Sequence, residues 1–248
     1  MSASPKADNL PLPPMPEDRF GLISIDPPWH FRSRAPSSNP QSERSPQAHY
    51  PTMDLEHIAA LPMKQLALPD CYVMLWITGP LMVAGVHSKL FKAWGCRPSS
   101  TAFVWIKLWN DFDTTQLTKT PLLEQDLAMG TGFTTRQNAE FVMLARFGSP
   151  KIARRDIRQV IISPRREHSR KPEEFYRRAE HFCAGPRLDM FAGAERPGWT
   201  SFGWSHREDE RPADKVRTGR HARCNTCGQP GKVNHADVCE ACMAAVAR

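Results

Sequence analysis

Short runs of apolar residues recur along the chain, each halted by proline or a polar stretch, and an amphipathic segment separates the second run from the third. Leu22, Ile23, Ser24 and Ile25 end against Asp26, Pro27 and Pro28, which reads as a buried strand closing in a rigid turn. Tyr72 to Ile77 is a second buried strand. Pro80 then opens a helix on which Val83, Val86, Leu90, Phe91 and Trp94 recur at helical spacing, and Ala102 to Lys107 is a third strand. Strand, helix and strand in alternation imply parallel pairing through right-handed crossovers, hence an open, doubly wound α/β sheet whose ligands gather at the strands' carboxyl ends. Asp26 stands at such an end. Further strands are expected at Phe141–Arg146, Val160–Ile162 and Arg187–Phe191, and a short helix at Asp54–Leu61. Pro172 opens another helix, with Glu173 and Glu174 in its first turn and Phe175, Ala179 and Phe182 on its inner face.

The chain has 248 residues, enough for one sizeable core and a small appendage. Lysine and arginine number 33 against 26 acidic residues, a net charge of +7 that points to an acidic partner such as nucleic acid. No apolar run approaches the ~20 residues that span a bilayer, and the N-terminus has no hydrophobic signal core. The expectation is no membrane and a cytoplasmic protein, bacterial or phage-encoded. Residues 1–19, rich in proline and polar side chains, form a flexible lead, and 20–205 form the main domain. Residues 206–223 are charged and read as a linker. In 224–248, Cys224-x-x-Cys227 and Cys239-x-x-Cys242 are two paired-cysteine knuckles, the pattern that surrounds one tetrahedral zinc with four thiolates. Metal binding would supply the folding energy of so short a module, whose role is nucleic-acid contact or docking of a protein partner. Cys71, Cys96 and Cys183 lie singly among apolar residues and read as small buried hydrophobes.

The turn Asp26-Pro27-Pro28-Trp29 carries chemistry. An exocyclic amine on adenine is a poor nucleophile because its lone pair is delocalised into the ring, so an enzyme must draw it toward tetrahedral geometry. Asp26 offers a carboxylate and Pro27 a backbone carbonyl, each able to accept one N–H, and the prolines keep both acceptors preorganised. Trp29 offers a flat face on which a base can stack. Lys171, beside Arg165, Arg166 and Arg170 just before a helix, is placed to hold a carboxylate or a phosphate.

In order along the chain stand ISIDPPWHF, HYPTM, YVMLWITGPLM, FVWIKLWN, RQNAEFVMLARFGSP and REHSRKPEEFY. This set resembles the MT-A70 family of adenine methyltransferases over roughly residues 20 to 204. The resemblance implies a Rossmann-like fold with permuted motif order that uses S-adenosylmethionine, with the catalytic motif at Asp26 to Trp29. It implies Tyr50 as an active-site loop residue, Lys171 as a donor contact alongside Asp26, and Arg136, Asn138 and Glu140 at the substrate edge. Phe191, Gly193 and Arg196 fall in the donor-binding segment, where Gly193 replaces the usual arginine and Trp204 a later asparagine. The implied function is methylation of the adenine amine in DNA. The alternatives are an RNA adenosine methyltransferase, or a catalytically weak nucleic-acid-binding subunit.

Overall fold

The structure is a computed structural model that describes residues 12–29, 52–119, 121–130, 134–166, 170–191, 195–203, 220–223 and 230–233. A seven-stranded sheet is built from β1 (Phe20–Ile25), β2 (Ala67–Ile77), β3 (Arg97–Leu108), β4 (Ala139–Phe147), β5 (Val160–Pro164), β6 (Arg187–Met190) and β7 (Thr200–Phe202), in the order β5-β3-β4-β2-β1-β6-β7. Every residue of β1 is buried, as a central strand covered on both faces requires.

Alternation along the strands sorts the core into two layers. On one face Ile23 and Ile25, Val73, Leu75 and Ile77, and Leu188 and Met190 meet Ile58 of α1 (Leu55–Ala59), Met63 and Leu66 of α2 (Met63–Leu66), and Val86, Leu90, Phe91 and Trp94. On the other face Leu22, Met74, Trp76, Phe103, Trp105, Val142 and Leu144 meet Phe175, Tyr176 and Ala179. The single helix expected after Pro80 is two: α3 (Gly79–Val83) and α4 (Val86–Trp94), divided at Gly85, whose φ of +69° takes the chain out of the helix. Val83 therefore leaves the inner face and is 86% exposed. The last helix, α5 (Glu173–Phe182), keeps Phe175 and Ala179 inward, as expected, and adds Tyr176.

The sheet is not wholly parallel, which corrects the expectation. β4 lies between β2 and β3 and runs antiparallel to both, while the remaining neighbours are parallel. The chain leaves β3, makes two 3-10 turns (Thr114–Thr118 and Glu124–Asp126) and returns with no described α-helix between, so it pairs back as a long-looped hairpin. Consequently β4 presents its first residues, not its last, at the edge where β1, β2, β3, β5 and β6 end. Arg220–Arg223, expected within the linker, form strand β8, antiparallel to β9 (Pro230–Val233).

Candidate functional site

Period-two alternation decides which side chains reach this edge on the α5 face. Leu22 and Ser24 lead to Asp26, Trp76 ends the inward series of β2, Phe103 and Trp105 lead to Lys107, and Glu140 precedes Val142 and Leu144. Register confirms the placement, with Glu140 opposite Trp105 and the Lys107 N–H donating to the Asn138 carbonyl at 2.8 Å. Lys171, immediately before Pro172 and α5, enters from above the sheet. Its ammonium lies 3.0 Å from Oδ2 of Asp26 and 2.9 Å from Oε2 of Glu140, and 4.8 Å from the centre of the Trp76 ring. Lys107 pairs with Oε1 of Glu140 and stands 4.9 Å from the Trp105 ring centre. Trp76 and Trp105 meet edge to face at 6.3 Å, a shared indole floor beneath both ammonium groups.

The four charges alternate in sign, and their acidities follow. Burial pushes the Asp26 carboxyl up, and the Lys171 ammonium opposes this without cancelling it. Burial also acts to raise Glu140, but Lys171 and Lys107 together outweigh it and hold that carboxyl at about 2. Lys171, which burial alone would discharge, is kept protonated by Asp26 and Glu140.

The Asp26-Pro-Pro-Trp turn is held from both sides. Asp26 N–H donates to the Met190 carbonyl at 3.2 Å, Trp29 N–H to the Pro27 carbonyl at 2.8 Å, and Met53 N–H to the Pro28 carbonyl at 2.8 Å. Trp29 itself packs into the core layer on the opposite face of the sheet and is 8% exposed, so it offers little open stacking face. Arg196 is brought to α5, pairing with Glu173 and lying 3.8 Å from the Tyr176 ring centre. Phe191 sits just past β6 with φ +63°, its ring 6.0 Å from that of Phe202. Gly203 passes so close that a Cβ there would meet Phe191 Cα at 2.9 Å. Arg136 is exposed near the start of β4. Tyr50, Gly193, Trp204 and the cysteines Cys224, Cys227, Cys239 and Cys242 lie outside the described residues.

Two residues were missed in the sequence. Lys107 is signalled by the two-residue step from Phe103 through Trp105. Asp189 is buried in β6, one residue inward of the edge, where Tyr176 Oη donates to its Oδ2 at 2.8 Å. Burial drives Asp189 up to about 6, the phenol only moderating it.

The sequence model of the MT-A70 family matches residues 20–205. The chain belongs to the MT-A70 family. Among curated proteins it is similar to the type II methyltransferase M.MunI of a Mycoplasma species, 26% identical over 77% of this chain and 80% of the relative. It is also similar to a putative N(6)-adenosine-methyltransferase MT-A70-like protein of Medicago truncatula, 28% identical over 75% of this chain and 26% of the relative. A third is mouse N(6)-adenine-specific methyltransferase METTL4, 26% identical over 74% of this chain and 37% of the relative. The chain thus spans most of the Mycoplasma protein but only about a quarter of the plant one.

MT-A70 methyltransferases use S-adenosylmethionine, and the residues at this edge fit such a donor. The Thr78 hydroxyl, just beyond β2, is buried with no hydrogen-bond partner among the described residues, and Asp26 and Lys171 offer both charges that a zwitterionic sulfonium needs. No helix among the described residues is long and apolar enough to cross a membrane.

Proposed function

We propose that this protein transfers a methyl group from S-adenosylmethionine to the exocyclic amine of adenine in DNA, with Asp26 and the Pro27 carbonyl as the paired acceptors. The observation that carries this reading is the Asp26 carboxylate fixed at the strand edge by Lys171 at 3.0 Å, inside a rigid proline turn. The donor, when bound, supplies an electrophilic methyl group on sulfur. Asp26, through Oδ1, accepts one amine N–H, and the second lone pair of the Pro27 carbonyl, already bonded to Trp29 N–H, accepts the other. As the nitrogen gains its methyl it becomes cationic, and the Asp26 carboxylate stabilises that charge until a proton leaves. The Trp76–Trp105 floor keeps water from one side of the charged groups, which strengthens their interactions. Lys171, Phe191 and Arg196 are the described residues assigned to the donor, with Tyr50 and Gly193 completing the site by resemblance. Arg136, Asn138 and Glu140 border the base.

DNA is preferred because the similarity extends over most of M.MunI, and type II methyltransferases act on DNA, whereas the plant adenosine methyltransferases share only a quarter of their length. A base inside a duplex must be extruded to reach Asp26. The four C-terminal cysteines are assigned to one structural zinc, to be checked by metal analysis of the purified chain. The test is methyl transfer from labelled donor to matched DNA and RNA oligonucleotides, with nucleoside mass spectrometry. Labelled N6-methyldeoxyadenosine, absent with Asp26→Ala, is the expected product. Label only in RNA would move the substrate to the adenosine class, and no donor binding would reduce the chain to a nucleic-acid-binding subunit.

A further inference from the structure

The row of charges that starts at Asp26 ends on Lys107, to which the reaction above assigns no task. Lys107 touches Glu140 alone among the acidic groups of the row, and Glu140 in turn shares Lys171 with Asp26. We infer that Lys107 is a positioning residue that acts through Glu140 to set how much of the Lys171 charge reaches Asp26, an inference that rests on Asp26 being the amine acceptor.

Each link in the argument is geometric. Lys171 has one ammonium and two carboxylates competing for it, at 3.0 and 2.9 Å, so neither holds it outright. Lys107 occupies the other oxygen of Glu140, which turns Oε2 toward Lys171 and satisfies part of that carboxylate's charge. With Lys107 neutral, the full charge of Glu140 would fall on Lys171 and draw the ammonium away from Asp26. Asp26 would then lose part of the one contact that opposes its burial. The groups facing Asp26 are Lys171 before α5, Glu140 from β4, Lys107 from β3, and Asp189 from β6 with Tyr176 from α5. Glu140 adds to the effect of burial in raising Asp26, and Lys171 and Lys107 oppose it.

A purely structural role explains the arrangement poorly. Buried ion pairs contribute little net stability compared with apolar residues of the same shape, and a methionine would pack against Trp105 equally well. What a methionine cannot do is divide Glu140.

The experiment uses the full chain with Lys107→Met, Lys107→Gln and Lys107→Arg. The first readout needs neither donor nor nucleic acid: carbon NMR titration of the Asp26 carboxyl, assigned by its loss in Asp26→Asn. Both neutral variants should move the Asp26 midpoint upward by about one pH unit, and Lys107→Arg should return it to within a few tenths. The second readout is the pH profile of kcat, whose acid limb should move by the same amount, with kcat on that limb lower by about tenfold and KM for the nucleic acid unchanged. Folded neutral variants with an unmoved Asp26 midpoint, or an arginine variant as impaired as the methionine one, would overturn the inference. A moved midpoint in a protein that methylates no adenine would uphold the positioning and overturn the reaction.

Discussion

Glu140, mostly buried, and Asp189, more deeply buried, lie at the same edge of the sheet on either side of β1 and β2, yet their acidities depart from the ordinary carboxylate range in opposite directions. Burial acts to raise both. Glu140 meets two ammonium groups and is held at about 2, whereas Asp189 meets a phenol at 2.8 Å and is driven up to about 6. A neutral donor satisfies a hydrogen bond without supplying a charge, so it cannot offset desolvation. Asp26 lies between the two, raised by burial and restrained mainly by the shared Lys171, with a smaller effect from Lys107. The sheet therefore places a strongly ionised acid, an adjustable one and a readily neutralised one side by side.

The largest test of that comparison is Lys171→Met, which strips the charge from one region and leaves the other alone. It should lower unfolding free energy by about 3 kcal/mol in urea titrations, because Asp26 loses its partner and Glu140 is left with Lys107 alone, and it should abolish turnover. A urea midpoint equal to wild type would show that the lysine is not what separates the regions. Next is Asp26→Asn, which keeps the shape and an acceptor but removes the charge. Turnover should fall by roughly 10²- to 10³-fold, with donor affinity by calorimetry little changed.

The pH dependence of stability sharpens the contrast. Glu140 titrates at about 2 in the fold against an ordinary value of 4.5, so its stabilisation is complete above about 4.5 and is lost as pH falls toward 2. Asp189 titrates at about 6 against 3.8, so the fold binds the extra proton and stability declines as pH rises from about 4 to 6. Melting curves across pH 2 to 7 should show both slopes, each on the order of 2 kcal/mol, with Glu140→Gln flattening the acid limb and Asp189→Asn the other. The smallest effect belongs to Tyr176→Phe. Losing one buried hydrogen bond should cost about 1 kcal/mol and move the Asp189 limb to still higher pH, and an unmoved limb would remove the phenol from the comparison.

Much of this arrangement is legible in the primary structure. A saturated apolar run stopped by two prolines fixes β1 and Asp26, and Pro172 with two glutamates fixes α5 and so Lys171. Glu140 came only from family resemblance, because no local pattern records that β4 enters between β2 and β3 in the opposite sense. Strand direction is a tertiary property, decided by how the loop returns. Val83 was misassigned because helical spacing continues across Gly85 while the backbone does not. Asp189 was hidden inside a four-residue strand too short for its period to be read. Lys107 is readable from alternation with Phe103 and Trp105, but alternation alone does not tell which face meets the site.

The return of β4 beside β3 has a consequence for how such a protein can diversify. Residues 109–138 leave and re-enter the sheet at one place, tied by the bonds from Lys107 N–H to the Asn138 carbonyl and from Ala128 N–H to the Lys107 carbonyl. Its two anchor points, Lys107 and Glu140, are already locked to each other by their charges. Because the ladder on either side carries the register, a change in the length of this segment should leave β3 and β4 paired as they are. Variation there would leave the acid at the end of β1 where it is.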